Sequence, residues 1–358
     1  MSAPTQLRLR SLLDQLTAYR PPAVPVAADG STSRLAANES PYPPLPAVQA
    51  AIAEAAANAN RYPDHDCVAL TSAIAARLNV PPDHIVVGAG SAGVLQSLIT
   101  AVAEPGTEVV YGWRSFDAYP VLARWSGAVA VPVPLRDATF DLPAMSARVG
   151  SLTRLVLVCN PNNPTGTVVS RGALANLLDR VPPDCLVVLD EAYHEFAGDQ
   201  TADGIELHHR YPNVVVLRTF SKAHALAGLR VGYLVAGEPV AAAVRKTQLP
   251  FAVGHIAQAA ALAALRVQGE VDRLVGLVVA ERDRVERALR RAGYDVPGSH
   301  GNFIWLPLGP GSARFVSACA EAGVAVHRVG DDGVRVSIGT PLENDRFLAV
   351  AHYQRGEQ

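Results

Sequence analysis

Short, mostly apolar β-rich runs punctuate the first two thirds of this 358-residue chain, at residues 85–87, 108–111, 128–133, 155–159, 186–189 and 214–217. None alternates polar with apolar residues, as a strand with one wet face would. Strands apolar on both sides must be covered on both sides, which predicts an α/β fold: a mostly parallel central sheet with helices on both faces. Helices are expected over residues 47–58, 67–78 and about 94–103, and almost continuously over 253–292. Strands at 303–306 and 334–338 flank a helix near 313–322, the pattern of a smaller α+β unit. The expected division is an arm at 1–40 that forms part of the smaller domain, a large ligand-binding domain at 41–250, and a small C-terminal domain at 251–358.

Composition excludes several classes. The cysteines, Cys67, Cys159, Cys185 and Cys319, make no CxxC pair, which argues against a disulfide scaffold and a cysteine-ligated metal. The formal net charge is −2 and no basic block occurs, so nucleic acid is not an expected partner. No apolar run reaches the roughly 18 residues of a membrane span, and residues 1–16 lack the apolar core of a signal peptide. The reading at this level is a soluble cytoplasmic enzyme without a metal.

Lysine stands at only two positions, Lys222 and Lys246, although lysine and arginine together number 31. Where arginine supplies nearly all positive charge, a retained lysine points to amine chemistry, because a guanidinium stays protonated. Lys222 lies in TFSKAHALAGLR (219–230), directly after an apolar run. There Thr219, Ser221 and Arg230 could hold a phosphate and lower the lysine pKa; the plain alternative is a solvated loop lysine. Gly88, Gly90 and Gly93 form GxGxxG between a strand and a helix, a loop that can cup a phosphate. The acid that a dinucleotide site needs at the end of the next strand, about twenty residues later, is missing: that region reads Tyr111, Gly112, Trp113, with no carboxylate until Asp117. NPNNPTG (160–166) is a rigid turn presenting Asn163. Asp190 ends the run CLVVLD, where α/β sheets bind ligands, although an Asp there can equally cap a helix. His194 and Glu195 form no HExxH pair.

Together, NPNNPTG, DEAY (190–193) and SKAHALAGLR (221–230) resemble the fold-type-I aminotransferases that use pyridoxal 5′-phosphate. The resemblance extends through ANES (37–40) with Pro41, RYPD (61–64), WRSFDAYP (113–120) and GVRVSIG (333–339), and so spans nearly the whole chain in order. It is strongest toward the histidinol-phosphate aminotransferases and their actinobacterial aromatic (phenylalanine) aminotransferase relatives, with WRSFDAYP and RTFSK leaning to the latter.

The resemblance implies roles. Lys222 would carry the cofactor through a Schiff base and move the substrate proton; Asp190 would face the pyridine nitrogen; Asn163 and Tyr193 would bond the phenolic oxygen; Phe116 would stack on the ring. The amides of Gly90, Ser91 and Ala92, with Thr219, Ser221 and Arg230, would hold the phosphate. Tyr62 would reach the neighbouring subunit's phosphate, which implies a homodimer with shared sites. Arg335 would bind the substrate carboxylate, while Tyr19, Trp113, His327 and Arg328 would line the substrate side. Three histidines depart from the family pattern: His224 for an aromatic residue, His255 for a small one, and His327 for an arginine that histidinol-phosphate enzymes use on the substrate phosphate. The expected reaction is amino transfer between an aromatic L-amino acid and 2-oxoglutarate. The alternatives are histidinol phosphate as donor, or a specialised aminotransferase or decarboxylase on the same fold.

Overall fold

A computed structural model describes residues 10–16, 18 and 23–356. In chain order the strands are β1 (Ser33–Arg34), β2 (Ile85–Gly88), β3 (Glu108–Trp113), β4 (Val129–Pro134), β5 (Thr153–Cys159), β6 (Leu186–Asp190), β7 (Val214–Thr219) and β8 (Gly232–Val235). They are followed by β9 (Phe303–Leu306), β10 (Val324–Ala325), β11 (His327–Val329) and β12 (Gly333–Ser337). Strands β2 to β8 make one seven-stranded sheet in the order β2-β8-β7-β6-β5-β3-β4. Its pairings from β7 through β6, β5 and β3 to β4 are parallel, and β8 runs antiparallel to both β2 and β7.

The apolar runs fall on β2 to β7, and the residues from Leu155 to Val158 are wholly buried. Within the seven-stranded sheet, β8 is the strand that the run pattern does not mark. It returns antiparallel after the loop that carries Lys222, and Phe220 N–H already donates to Val231 O across the base of that loop at 3.1 Å. A segment containing GLRVGYLV reads as loop chemistry until that pairing is seen.

Two apolar cores result. The larger one spans Val48 to Ala264 and covers the seven-stranded sheet; it includes Ala257, Ala260, Ala261 and Ala264 of helix His255–Arg266. The smaller one joins the long helix Gln268–Arg291, strands β9 and β12, helix Ser312–Glu321 and the C-terminal helix Pro341–Gly356. In the tail, β12 pairs antiparallel with both β9 and β11, and β1 returns from the N-terminal segment to pair with β10. The smaller core also takes in Leu35, Tyr193 and Ala223, so it meets the larger unit beside DEAY and Lys222. Among the described residues no helix is long and apolar enough to cross a membrane.

Candidate active site

The floor of the site is made by the C-terminal ends of buried parallel strands. Cys159 of β5 stands level with Asp190 of β6, so NPNNPTG and DEAY leave the sheet side by side. Asn160 N–H donates to Asp190 O at 2.9 Å, and Glu191 N–H to Leu217 O at 2.8 Å, which extends the ladder into the loops. Below it, the buried Glu191 carboxylate takes Arg218 Nε at 2.9 Å and Gly204 N–H at 2.7 Å, tying the segment after β6 to β7.

Beside this floor lies an anion cradle. Helix Gly90–Val102 starts there and offers its unpaired N–H groups. Gly90 holds φ +76°, and a Cβ on it would stand 2.5 Å from Arg230 Nη2. A Cβ on Gly232 would stand 2.5 Å from the amide nitrogen of Ser91. Two glycines thus let the helix start, the guanidinium and β8 close on one point. Arg230 Nη1 lies 3.4 Å from Ser221 Oγ, and Thr219 Oγ1 is 2.9 Å from that hydroxyl while accepting Ser221 N–H at 3.1 Å. The structure therefore brings Gly90, Ser91, Thr219, Ser221 and Arg230 together, with Ala92 following in the same helical turn.

Next to the cradle, Lys222 Nζ donates to Ala37 O at 3.1 Å and stands 5.9 Å from the centre of the Tyr193 ring. Burial, with the nearby guanidinium of Arg335, pushes its amine down to about 7. Asp190 is buried, accepting Tyr119 O–H at Oδ2 (2.7 Å) and Ala192 N–H at Oδ1 (3.2 Å). Burial lifts its carboxyl to about 6, and those two hydrogen bonds oppose the rise. Tyr193 Oη accepts from Asn38 Nδ2 at 3.0 Å, and burial pushes its phenol well above the usual range. Arg335 donates to Asn163 Oδ1 at 2.7 Å and to Ala36 O at 2.6 Å. One amine, one buried acid, one buried phenol, one amide and one fixed guanidinium thus converge beside an anion cradle.

The rim is assembled from distant segments. His327 faces Arg335 across the β11–β12 pair, and its Nε2 is 3.7 Å from Asp117 Oδ2. Arg114 pairs with Asp332 and lies 4.6 Å over the Trp113 ring. Arg328 turns away from the site to Asp331 and to Gly330 O (2.9 Å). Phe116 is half-buried, its ring edge-on to Tyr119 at 5.7 Å. His224 is buried 3.4 Å from Gln268 Oε1, and burial lowers its pKa. His255 opens helix His255–Arg266, half-buried. Tyr62 is 83% exposed and stacks on Phe251 at 4.6 Å. Tyr19 lies outside the described residues.

Two participants carry no role in the sequence reading. Asn38 belongs to ANES, but only the fold shows its amide on Tyr193 and its backbone N–H on Ser337 Oγ at 2.7 Å. Tyr119 belongs to WRSFDAYP, three residues after Phe116, a spacing that puts both on one side of a helical turn.

A lysine amine, a buried carboxylate at a strand end and a phosphate cradle at a helix start define a site for pyridoxal phosphate. The residues fit that group: the glycine-lined cradle matches its phosphate, the buried Asp190 its ring nitrogen and the low-pKa Lys222 its aldehyde. The model of the family "Aminotransferase class I and II" matches residues 32–350, and the chain belongs to that family. It is a pyridoxal-phosphate-dependent aminotransferase with small-molecule substrates. Among similar proteins, an aromatic amino acid aminotransferase of Thermobifida fusca is 54% identical, with 96% of each chain covered. One of Streptomyces coelicolor is 51% identical over 99% of each. A solved histidinol-phosphate aminotransferase of Sinorhizobium meliloti, in complex with pyridoxal-5′-phosphate, superposes with a TM-score of 0.89 at 29% identity, covering 99% of this chain and 100% of that one.

Proposed function

We propose that this aminotransferase moves the amino group of an aromatic L-amino acid, with phenylalanine as the type, to 2-oxoglutarate. The observation that carries the choice of donor is the state of the rim. Arg114 is committed to Asp332, Arg328 to Asp331, and His327 faces Asp117. A distal phosphate needs unpaired, fork-shaped donors, whereas Trp113 and Phe116 suit an apolar ring. The names of the relatives at about half identity support the same donor.

Bound pyridoxal phosphate supplies the electron sink that makes the Cα–H bond of an amino acid acidic. Lys222 would hold the cofactor and move the proton at the substrate Cα. Asp190 would accept the N–H of the ring nitrogen and keep that atom protonated. Asn163 and Tyr193 would bond the phenolic oxygen, Phe116 would pack against the ring, and the cradle residues with Arg230 would hold the phosphate. Arg335 orients the substrate carboxylate through a bidentate fork. We also propose a homodimer in which Tyr62 completes the partner's site. This is supported by the exposed, mutually stacked rings of Tyr62 and Phe251, with the exposed Leu249 (80%) two residues before Phe251 in the chain.

The test follows the near-visible absorbance of the holoenzyme while L-phenylalanine and L-histidinol phosphate are added in parallel, then restores the band with 2-oxoglutarate. Bleaching by phenylalanine and recovery with 2-oxoglutarate are expected. Bleaching by histidinol phosphate alone would overturn the donor, and failure of recovery the acceptor. Sedimentation of wild type and Tyr62→Ala tests the dimer, which must exist and remain assembled in the variant.

A further inference from the structure

Among the described residues, the buried Asp190 has no cationic partner. Its Oδ2 takes the Tyr119 hydroxyl at 2.7 Å, and its Oδ1 takes Ala192 N–H at 3.2 Å. Tyr119 is fully buried in helix Ala118–Ser126, packed edge-on against Phe116 and Tyr111. Filling space there would require only the ring; the hydroxyl is donated to Asp190, with the neutral Cys159 thiol also within reach of it. A short bond to an ionised acceptor is of the stronger kind, and a carboxylic acid protonated at Oδ2 would lose it.

We propose that Tyr119 is a positioning residue of the reaction, holding the Asp190 carboxylate ionised and in one orientation so that it can serve the cofactor's ring nitrogen. The proposal rests on the placement of Asp190 at that ring. Other groups facing Asp190 do not substitute. Burial raises the Cys159 thiol and the Tyr193 phenol and keeps both neutral, and Glu191 is engaged by Arg218. Ala192 contributes only the longer bond. Since burial already lifts Asp190 to about 6, little margin separates it from protonation at neutral pH. Segment 116–119 thereby couples two jobs: Phe116 against the ring face, and Tyr119 behind the acid at the ring nitrogen.

The test uses pyridoxamine 5′-phosphate, which carries the same ring nitrogen but cannot react with Lys222, titrated into the apoprotein from pH 5 to 9 by fluorescence. In wild type, affinity should fall as pH drops through about 6. In Tyr119→Phe, which keeps the packed ring, the fall should begin about one to two pH units higher. At pH 7 this variant should bind several-fold more weakly than wild type, and at pH 8.5 within about two-fold. In an Asp190→Asn background, adding Tyr119→Phe should change nothing, because no charge remains to be held. Lys222, whose amine titrates near 7, is present in both members of that pair, so its contribution cancels in the comparison. A curve unmoved by Tyr119→Phe overturns the proposal. So does a loss that is equal at every pH and persists with Asp190→Asn, since that describes packing alone. A protein that shows the expected shift but takes no amino group from phenylalanine would sink the donor reading and leave Tyr119 in place.

Discussion

The floor and the rim of the site are built by different means. On the floor, Asp190, Thr219, Ser221 and Gly90 stand at the ends of buried strands or at a helix start, and backbone pairing fixes their spacing. At the rim, Arg335, His327, Asp117 and Arg114 come from segments some two hundred residues apart, joined by single side-chain contacts. The floor therefore tolerates little change of shape, whereas the rim can change partners without disturbing the sheet. Most of the predictions below ask where the boundary between the two regions falls.

The largest effect belongs to the floor. Lys222→Ala should fold normally, with a melting transition close to that of wild type, yet lose at least about 10⁴-fold in turnover together with the covalently bound cofactor band. Turnover near the wild-type rate would remove Lys222 from the chemistry. A smaller loss is expected at the rim from Arg335→Lys. A point charge cannot reproduce the fork that meets both Asn163 Oδ1 and Ala36 O, so KM for the amino acid should rise about 10- to 100-fold with cofactor affinity unchanged. If cofactor affinity fell as steeply as KM rose, Arg335 would belong to the floor, and the division would have to be redrawn.

The same contrast governs what could be read from the sequence. The run pattern predicts the strands of the main sheet except β8, because buried parallel strands leave continuous apolar runs while β8 follows a loop with no punctuation between them. Motifs at strand ends predict the floor for the same reason: Asp190 or Ser221 needs only its strand to be placed. The rim is a different matter. Nothing local reveals that Arg328 turns to Asp331 while its neighbour His327 faces Asp117; that depends on the strand alternation of β11 and its register with β12. Asn38 on Tyr193 and Tyr119 on Asp190 were equally hidden, since each is one hydrogen bond across a long stretch of chain.

A substitution with no charge at all sharpens the view of the floor as backbone geometry. An Ala Cβ at residue 232 would meet Ser91 N at 2.5 Å and both Arg218 O and Gly90 C at 2.9 Å, which are main-chain atoms that cannot rotate aside. Gly232→Ala should therefore push helix Gly90–Val102 away from β8. The expected cost is ~1–3 kcal/mol of stability in denaturant titrations, with roughly ten-fold weaker cofactor binding. Unchanged affinity would mean that the cradle yields more than its packing indicates.

The smallest expected effect probes the one place where rim and floor touch. The Lys222 amine is pushed down to about 7 by burial first and by the Arg335 guanidinium second. Only the neutral amine attacks an aldehyde, so covalent capture of pyridoxal phosphate by the apoprotein should accelerate as pH rises toward about 7 and then level off. An ordinary lysine would keep accelerating up to its usual value of 10.5. Arg335→Gln removes the positive charge that disfavours the ammonium form, so the sign is fixed: the amine pKa rises, and the plateau moves to higher pH. Because burial is the larger cause and stays in place, the displacement should be about one pH unit or less. Stopped-flow absorbance of capture at a series of pH values reads it directly. A plateau at the same pH in both proteins would mean that burial alone sets the amine, and that the rim governs substrate without reaching the floor.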